Sequence, residues 1–264
     1  MISSDSRGFV WRDRGVGEPV VLIHGLLGDM DHWGSTLEVL ARFCRPISVA
    51  MPILDPSFAE IAPPDLADYV RRFLDVLDIS EAVVGGNSLG GHIALELALA
   101  HPDRVSGLIL TGSSGLFERG FTRGVPHRPS SSWVREKMEE VFHDRALITG
   151  DWVESVRRVV ATRDSALRLL QTARAAKRRN IEEWLTQIRV PSLLVWGAND
   201  RITPPDVAER FHALLPESEL FLLPSCGHAP MLERPEAFNA ILASWLLRTR
   251  ARRERSPLVA GRVA

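Results

Sequence analysis

The chain has 264 residues, 45% hydrophobic and 25% charged, which places it among globular proteins and excludes disordered, fibrous and collagen-like classes. Its formal net charge of -1 gives no field to draw it onto nucleic acid or an anionic membrane. The expected partner is therefore a small-molecule substrate, with no nucleic acid and no membrane, and a homodimer is compatible with such a surface.

Cys44 and Cys226 are too few for a disulfide framework, and residues 1–14 mix Asp5, Arg7, Arg12 and Asp13 with no apolar stretch of the signal-peptide kind. No run approaches the ~20 apolar residues of a membrane span. A cytoplasmic setting is expected. Of 32 basic residues only Lys137 and Lys177 are lysine, a bias read as genomic base composition without functional weight.

Along the chain, Pro19-Val20-Val21-Leu22-Ile23 reads as a buried strand, followed by helical spacing of Trp33, Leu37, Leu40 and Ala41. Ile47-Ser48-Val49-Ala50 repeats the strand signal, and Leu66, Tyr69, Val70, Phe73, Leu74 and Leu77 the helical one. Ala82-Val83-Val84 and Leu108-Ile109-Leu110 are further strand-like runs. From about 115 to 188 the alternation stops. Three helical stripes replace it: Val134, Met138, Val141, Phe142; Trp152, Val156, Val159, Val160; and Ala166, Leu169, Leu170, Ala173, Ala176. Strand signals return at Ser192-Leu193-Leu194-Val195-Trp196 and Leu220-Phe221-Leu222-Leu223. A last helix over Phe238, Ile241, Leu242, Trp245 and Leu246 follows Pro235, a good first-turn residue. Nearly continuous apolarity suits strands covered on both faces, so the expected class is α/β with a mostly parallel sheet. The expected organisation is a core over 1–114 and 189–250, an inserted helical cap over 115–188, and a frayed arginine-rich tail over 251–264.

The segment from Ala82 to Ala94 reads as strand, sharp turn and helix, and holds Gly86-x-Ser88-x-Gly90 at the turn. Glycines there let strand and helix approach closely. They present Ser88 at a helix N-terminus, where free N–H groups favour developing negative charge. A serine hydroxyl is a weak nucleophile and needs a base and a group to orient that base. Asp200 follows the strand ending at Trp196, and His228 follows the strand ending at Leu223, each in a loop beyond a strand end. Thr203 with Asp206 reads as a cap for the next helix, leaving Asp200 free for the orienting role. Position distinguishes His228 from His24, His92, His101, His127, His143 and His212. The turn Ile23-His24-Gly25-Leu26-Leu27-Gly28 points to the backbone N–H groups of Leu26 and Leu89 as oxyanion donors, with His24 as a buried brace. Scattered histidines and the lack of a CxxC pair argue against a metal, and no phosphate-cradling G-x-G-x-x-G loop calls for a cofactor.

Ile23-His24-Gly25, Gly86-Asn87-Ser88-Leu89-Gly90-Gly91, Trp196-Gly197-Ala198-Asn199-Asp200 and Cys226-Gly227-His228 together resemble the α/β-hydrolase fold superfamily over nearly the whole chain. The resemblance implies an eight-stranded, mostly parallel sheet with helices on both faces and a helical cap inserted after the sixth strand. More narrowly, Gly86-Asn87-Ser88-Leu89-Gly90-Gly91 with Cys226-Gly227-His228, Glu233, Glu236, Phe238 and Asn239 is similar to the carbon–carbon hydrolases that open meta-cleavage products, as is Leu110-Thr111-Gly112-Ser113-Ser114-Gly115-Leu116. Two positions depart from that group. Ala229 stands where those enzymes usually carry tryptophan, and their substrate-carboxylate arginine has no single counterpart among Arg157, Arg158, Arg174 and Arg178. Asn87, Arg174 and Arg178 are the residues expected to contact substrate. Dehalogenases and epoxide hydrolases of this fold carry Asp at the elbow, so Ser88 separates the chain from both. The reading is a serine hydrolase of small carboxylic esters acting through an acyl-enzyme. The alternatives are carbon–carbon bond hydrolysis and a non-catalytic ligand-binding protein of the same fold.

Overall fold

Val, Leu and Ile runs that alternate with amphipathic helices can hide both their faces only inside a helix-covered sheet, and the chain takes that solution. The computed structural model describes residues 2–58, 61–118 and 129–255. The elements are β1 (Ile2–Ser4), β2 (Val10–Asp13), β3 (Pro19–Ile23), α1 (Gly34–Leu40), β4 (Arg45–Val49), α2 (Pro63–Val76), β5 (Ala82–Asn87), α3 (Leu89–Ala100) and β6 (Val105–Thr111). They continue with α4 (Ser131–Val141), α5 (Gly150–Val159), α6 (Arg163–Arg178), β7 (Ser192–Gly197), α7 (Pro205–Leu214), β8 (Ser218–Leu223), α8 (Pro230–Glu233) and α9 (Pro235–Arg255).

The eight strands form one sheet in the order β1-β2-β4-β3-β5-β6-β7-β8. Only the β1–β2 and β2–β4 pairings are antiparallel. Every residue of β5, β6 and β7 is buried, as strands covered on both faces require. One helical layer pairs α1 with α9 and the other α2 with α3. The parallel strands share a direction, so the loops after β3, β5, β7 and β8 open on the same sheet edge.

The fold adds two strands to the six runs read individually. Ile2-Ser3-Ser4 and Val10-Trp11-Arg12-Asp13 are short and only partly buried at the sheet edge, so they lack the continuous apolarity of the central strands. Among the described residues the elements between β6 and β7 are all helical. The tail expected from 251 is corrected in part. α9 continues to Arg255, because its arginines are held: Arg250 pairs with Glu254 one turn on, and Arg253 bridges Glu18 and Glu81. Residues 256–264, like His127, lie outside the described residues.

Candidate active site

Ser88 occupies the single position between β5 and α3 with φ 57° and ψ −117°, a conformation a residue with a β-carbon adopts only when its surroundings impose it. The constraint is visible. Its N–H donates to the Thr111 carbonyl at 3.0 Å, and its carbonyl accepts from the N–H groups of Gly91, His92 and Ser114 at 3.1–3.2 Å. Bare backbone makes the turn this tight. A β-carbon on Gly90 would stand 2.2 Å from the Ile23 carbonyl oxygen, and one on Gly86 2.2 Å from the Gly90 carbonyl carbon. Only glycine fits at either place.

His228 and Asp200 come from the loops after β8 and β7. The His228 ring is buried, and its Nδ1 lies 2.9 Å from Asp200 Oδ2. A carboxylate only accepts, so Nδ1 carries the proton, and Nε2 of the neutral ring is left as an acceptor. Burial alone would push the imidazole pKa down. The charge of Asp200, its hydrogen bond, and the charges of Glu118 and Glu233 outweigh burial and hold the pKa above the ordinary 6.5. Asp200 is itself fixed: Oδ1 accepts from the N–H groups of Ile202 and Thr203 at 2.8 and 3.0 Å, and Oδ2 from the Thr203 hydroxyl at 3.0 Å. The capping role expected of Thr203 is overturned, since α7 starts at Pro205 with no side-chain cap. Proline begins that helix unaided, and the threonine hydroxyl turns to the carboxylate. Trp196 Nε1 donates to the Thr203 carbonyl at 2.8 Å and locks it to β7.

The loop after β3 faces the elbow. His24 Nδ1 donates to the Gly25 carbonyl at 2.8 Å and Nε2 accepts the Met51 N–H at 3.1 Å, so the ring is neutral. Burial pushes its pKa down to about 4, against a smaller upward pull from the Gly25 carbonyl. Among the described residues neither the Leu26 nor the Leu89 N–H donates to a protein acceptor.

Leu26, Leu89, Ser88 and His228 line one cavity of about 600 Å³. Its roof is apolar, built from Trp133, Met138 and Phe142 with Trp152 and Leu169 from α5 and α6. Four charged side chains interrupt it: Glu118, Lys137, Arg174 and Lys177. Burial raises the Glu118 carboxyl pKa, with His228, His92 and Lys177 pulling it the other way.

Residues 20–241 match the alpha/beta hydrolase family. The chain belongs to this family. The dihydrolipoyllysine-residue acetyltransferase component of the acetoin cleaving system of Pseudomonas putida is 32% identical over 87% of this hydrolase, which spans 64% of that relative's length. A 2-hydroxy-6-oxononadienedioate/2-hydroxy-6-oxononatrienedioate hydrolase of Cupriavidus pinatubonensis is 31% identical over 89% of each chain. Among solved structures, an alpha/beta hydrolase enzyme from the metagenome of sediments of the lagoon of Mar Chica, Morocco, is similar with a TM-score of 0.76 and 29% identity, covering 94% of this hydrolase and 98% of that chain.

Of the residues expected to contact substrate in this hydrolase, Arg174 lines the cavity and Arg178 does not. Arg178 is exposed at the last residue of α6, directly after Lys177, the last residue of that helix to line the cavity. Asn87 reaches the cavity, yet its amide nitrogen is spent on backbone, donating to the carbonyls of Thr111 at 3.0 Å and His228 at 2.9 Å. It staples β5 to β6 and to the histidine loop. Reading the sequence missed Thr203 in this role, Glu118 in the cavity, and the placement of both lysines there. The scarcity of lysine was the one signal that could have drawn attention to Lys137 and Lys177. The thiol of Cys226, beside the histidine loop, is fully buried and pushed up to about 12 mainly by that burial, which leaves it inert.

Proposed function

We propose that this hydrolase cleaves carboxylic esters of small molecules through an acyl-enzyme on Ser88. His228 Nε2 takes the hydroxyl proton as Ser88 Oγ attacks the ester carbonyl, and returns it to the leaving alcohol. Water then repeats the sequence to release the acid. Asp200 holds the imidazole in the Nδ1–H form and stabilises the imidazolium. The N–H groups of Leu26 and Leu89 receive the oxyanion, each worth about 3 kcal/mol in the transition state. The observation that carries this reading is the arrangement of one cavity: a serine forced to positive φ at a helix N-terminus shares it with a histidine whose far nitrogen is bonded to a buried carboxylate.

The helices α4, α5 and α6 within the expected cap of 115–188 serve as the lid and select the substrate, because their apolar side chains roof the cavity. Two free, buried thiols support a cytoplasmic setting, and among the described residues no helix is long and apolar enough to cross a membrane.

Carbon–carbon cleavage of a vinylogous diketo acid is the second reading, favoured by the Cupriavidus relative and by the cations Arg174, Lys137 and Lys177 around the cavity. Ester cleavage ranks first because it requires only the triad and two oxyanion donors. Ala229 also leaves a small apolar wall beside the base, where carbon–carbon hydrolases usually place tryptophan.

Ser88→Ala should abolish turnover with little change in stability, and a fluorophosphonate should label the wild type once, at Ser88. Persistent hydrolysis in the variant removes Ser88 from its role. Side-by-side kcat/KM values for p-nitrophenyl butyrate and a hydroxy-oxo-dienoate rank the two reactions. A dienoate value tenfold higher, about 1.4 kcal/mol in transition-state binding, reverses the order.

A further inference from the structure

One buried carboxylate joins the roof of the cavity to the histidine loop. Glu233, the last residue of α8, is 5% exposed. Its Oε1 accepts the N–H of Gly227 at 2.8 Å, and its Oε2 accepts those of His143 and Asp144 at 2.8 and 3.0 Å. Gly227 immediately precedes His228, while His143 and Asp144 come directly after Phe142, just past the end of α4. A second tie runs alongside, from the His228 N–H to the Val141 carbonyl at 2.9 Å. Among the described residues no basic side chain pairs with this carboxylate. The neighbouring Arg234 bonds instead to the carbonyls of Glu233 and Ser225.

Three amide donors arriving at two oxygens specify a group that only accepts, and an ionised carboxylate meets that demand. A glutamine in its place must turn an NH2 towards one of the two sides, and either choice severs the bridge. On the roof side the bridge reaches the stretch that supplies Trp133, Val134, Met138, Val141 and Phe142 to the cavity wall. Pressure on that wall acts on backbone at 141–144, which is bonded to His228 directly at Val141 and to Gly227 through the Glu233 carboxylate.

We propose that Glu233 is a positioning residue that couples occupancy of the apolar cavity to the placement of His228. An acyl group long enough to reach α4 then sets the base as well as filling the pocket, and chain length is expressed in kcat and not only in KM. The inference rests on the serine-hydrolase reading above and extends it to how the roof takes part.

The test compares p-nitrophenyl acetate with p-nitrophenyl octanoate. In the wild type kcat should rise about fivefold or more from the short to the long ester, and in Glu233→Gln by less than about twofold, while KM still falls with chain length. A rise that persists in the variant, with both esters slowed by a common factor, makes Glu233 a structural brace and overturns the coupling. Hydrogen exchange on the wild type decides the matter if the variant does not fold. A Ser88 adduct with an octyl phosphonate should protect the amides of Gly227 and His228 more than an ethyl phosphonate adduct does, and equal protection overturns the coupling alone. Failure of either phosphonate to label Ser88 overturns the serine-hydrolase reading beneath it.

Discussion

Replacing His24 by glutamine should remove a large part of the acid sensitivity of this fold. The imidazole is buried and neutral, with both nitrogens bonded to backbone and its pKa pushed down to about 4 from the ordinary 6.5. Between those values the unfolded chain binds a proton that the native chain refuses. Native stability therefore falls as pH drops from 6.5 towards 4. At about 1.4 kcal/mol per pH unit the full loss is about 3 kcal/mol, of which about 2 kcal/mol is reached by about pH 5. Glutamine reaches the same place, its oxygen can accept the Met51 N–H, and it does not titrate. Urea denaturation at about pH 7.5 and about pH 5 gives the double difference directly, with the wild type losing about 2 kcal/mol more than His24→Gln. Other titrating groups contribute equally to both proteins and cancel. Equal losses in the two would refute the assignment. The same loop carries the Leu26 N–H, so the acid loss should also appear as a falling kcat in the wild type.

The acid limb of kcat/KM should lie above the ordinary histidine value of 6.5, because a protonated His228 cannot act as base and its pKa is raised. Asp200→Asn should move that limb to lower pH as well as lowering kcat, and an unmoved limb would separate Asp200 from the titration. Thr203→Val, which removes the hydroxyl 3.0 Å from Asp200 Oδ2, should shift the limb the opposite way, because a carboxylate short of one donor attracts the imidazolium more strongly. Its stability should drop by about 1.5–3 kcal/mol for the lost bond to a charged group, and an unchanged denaturation midpoint would count against that bond. Gly90→Ala drives a β-carbon into the Ile23 carbonyl and should cost about 1–3 kcal/mol with a loss of phosphonate labelling. Normal labelling and an unchanged Tm would show that the elbow has slack.

Much of this site is legible in the amino-acid sequence, because its signals are local. Gly86, Ser88 and Gly90 lie within one turn, and Asp200 and His228 each follow an apolar run directly, so strand-end position alone selects them. Local signals also mislead. Thr203 three residues before Asp206 has the spacing of a helix cap, but Pro205 begins α7 without one and the hydroxyl finds the Asp200 carboxylate instead. The contacts of Glu233 with His143 and Asp144 span 90 and 89 residues, and no periodicity carries information over that separation. Arg178 has the same helical phase as Arg174, but as the last residue of α6 it is exposed outside the cavity, while its neighbour Lys177 lines it. The edge strand β1 and its neighbour β2 are partly exposed and too short for a pattern of period two to declare itself. At the other terminus the helical extension to Arg255 depends on Glu18 and Glu81, partners that precede it by more than half the chain.

The order of the sheet also bears on how the protein is made. A ribosome delivers Ser88 long before His228, and β8, whose following loop carries the histidine, pairs only with β7 at the sheet edge. The Asn87 amide that staples β5 to β6 reaches its other partner, the His228 carbonyl, across 141 residues of sequence. A growing chain thus holds β3 to β6 before it holds the histidine loop, and on the proposed mechanism Ser88 then has no base to activate it. Under the proposed ester chemistry such a chain should be silent towards esters, and docking of β8 should switch it on. If the proposed ester cleavage holds, its onset during cell-free synthesis should coincide with completion of the sheet.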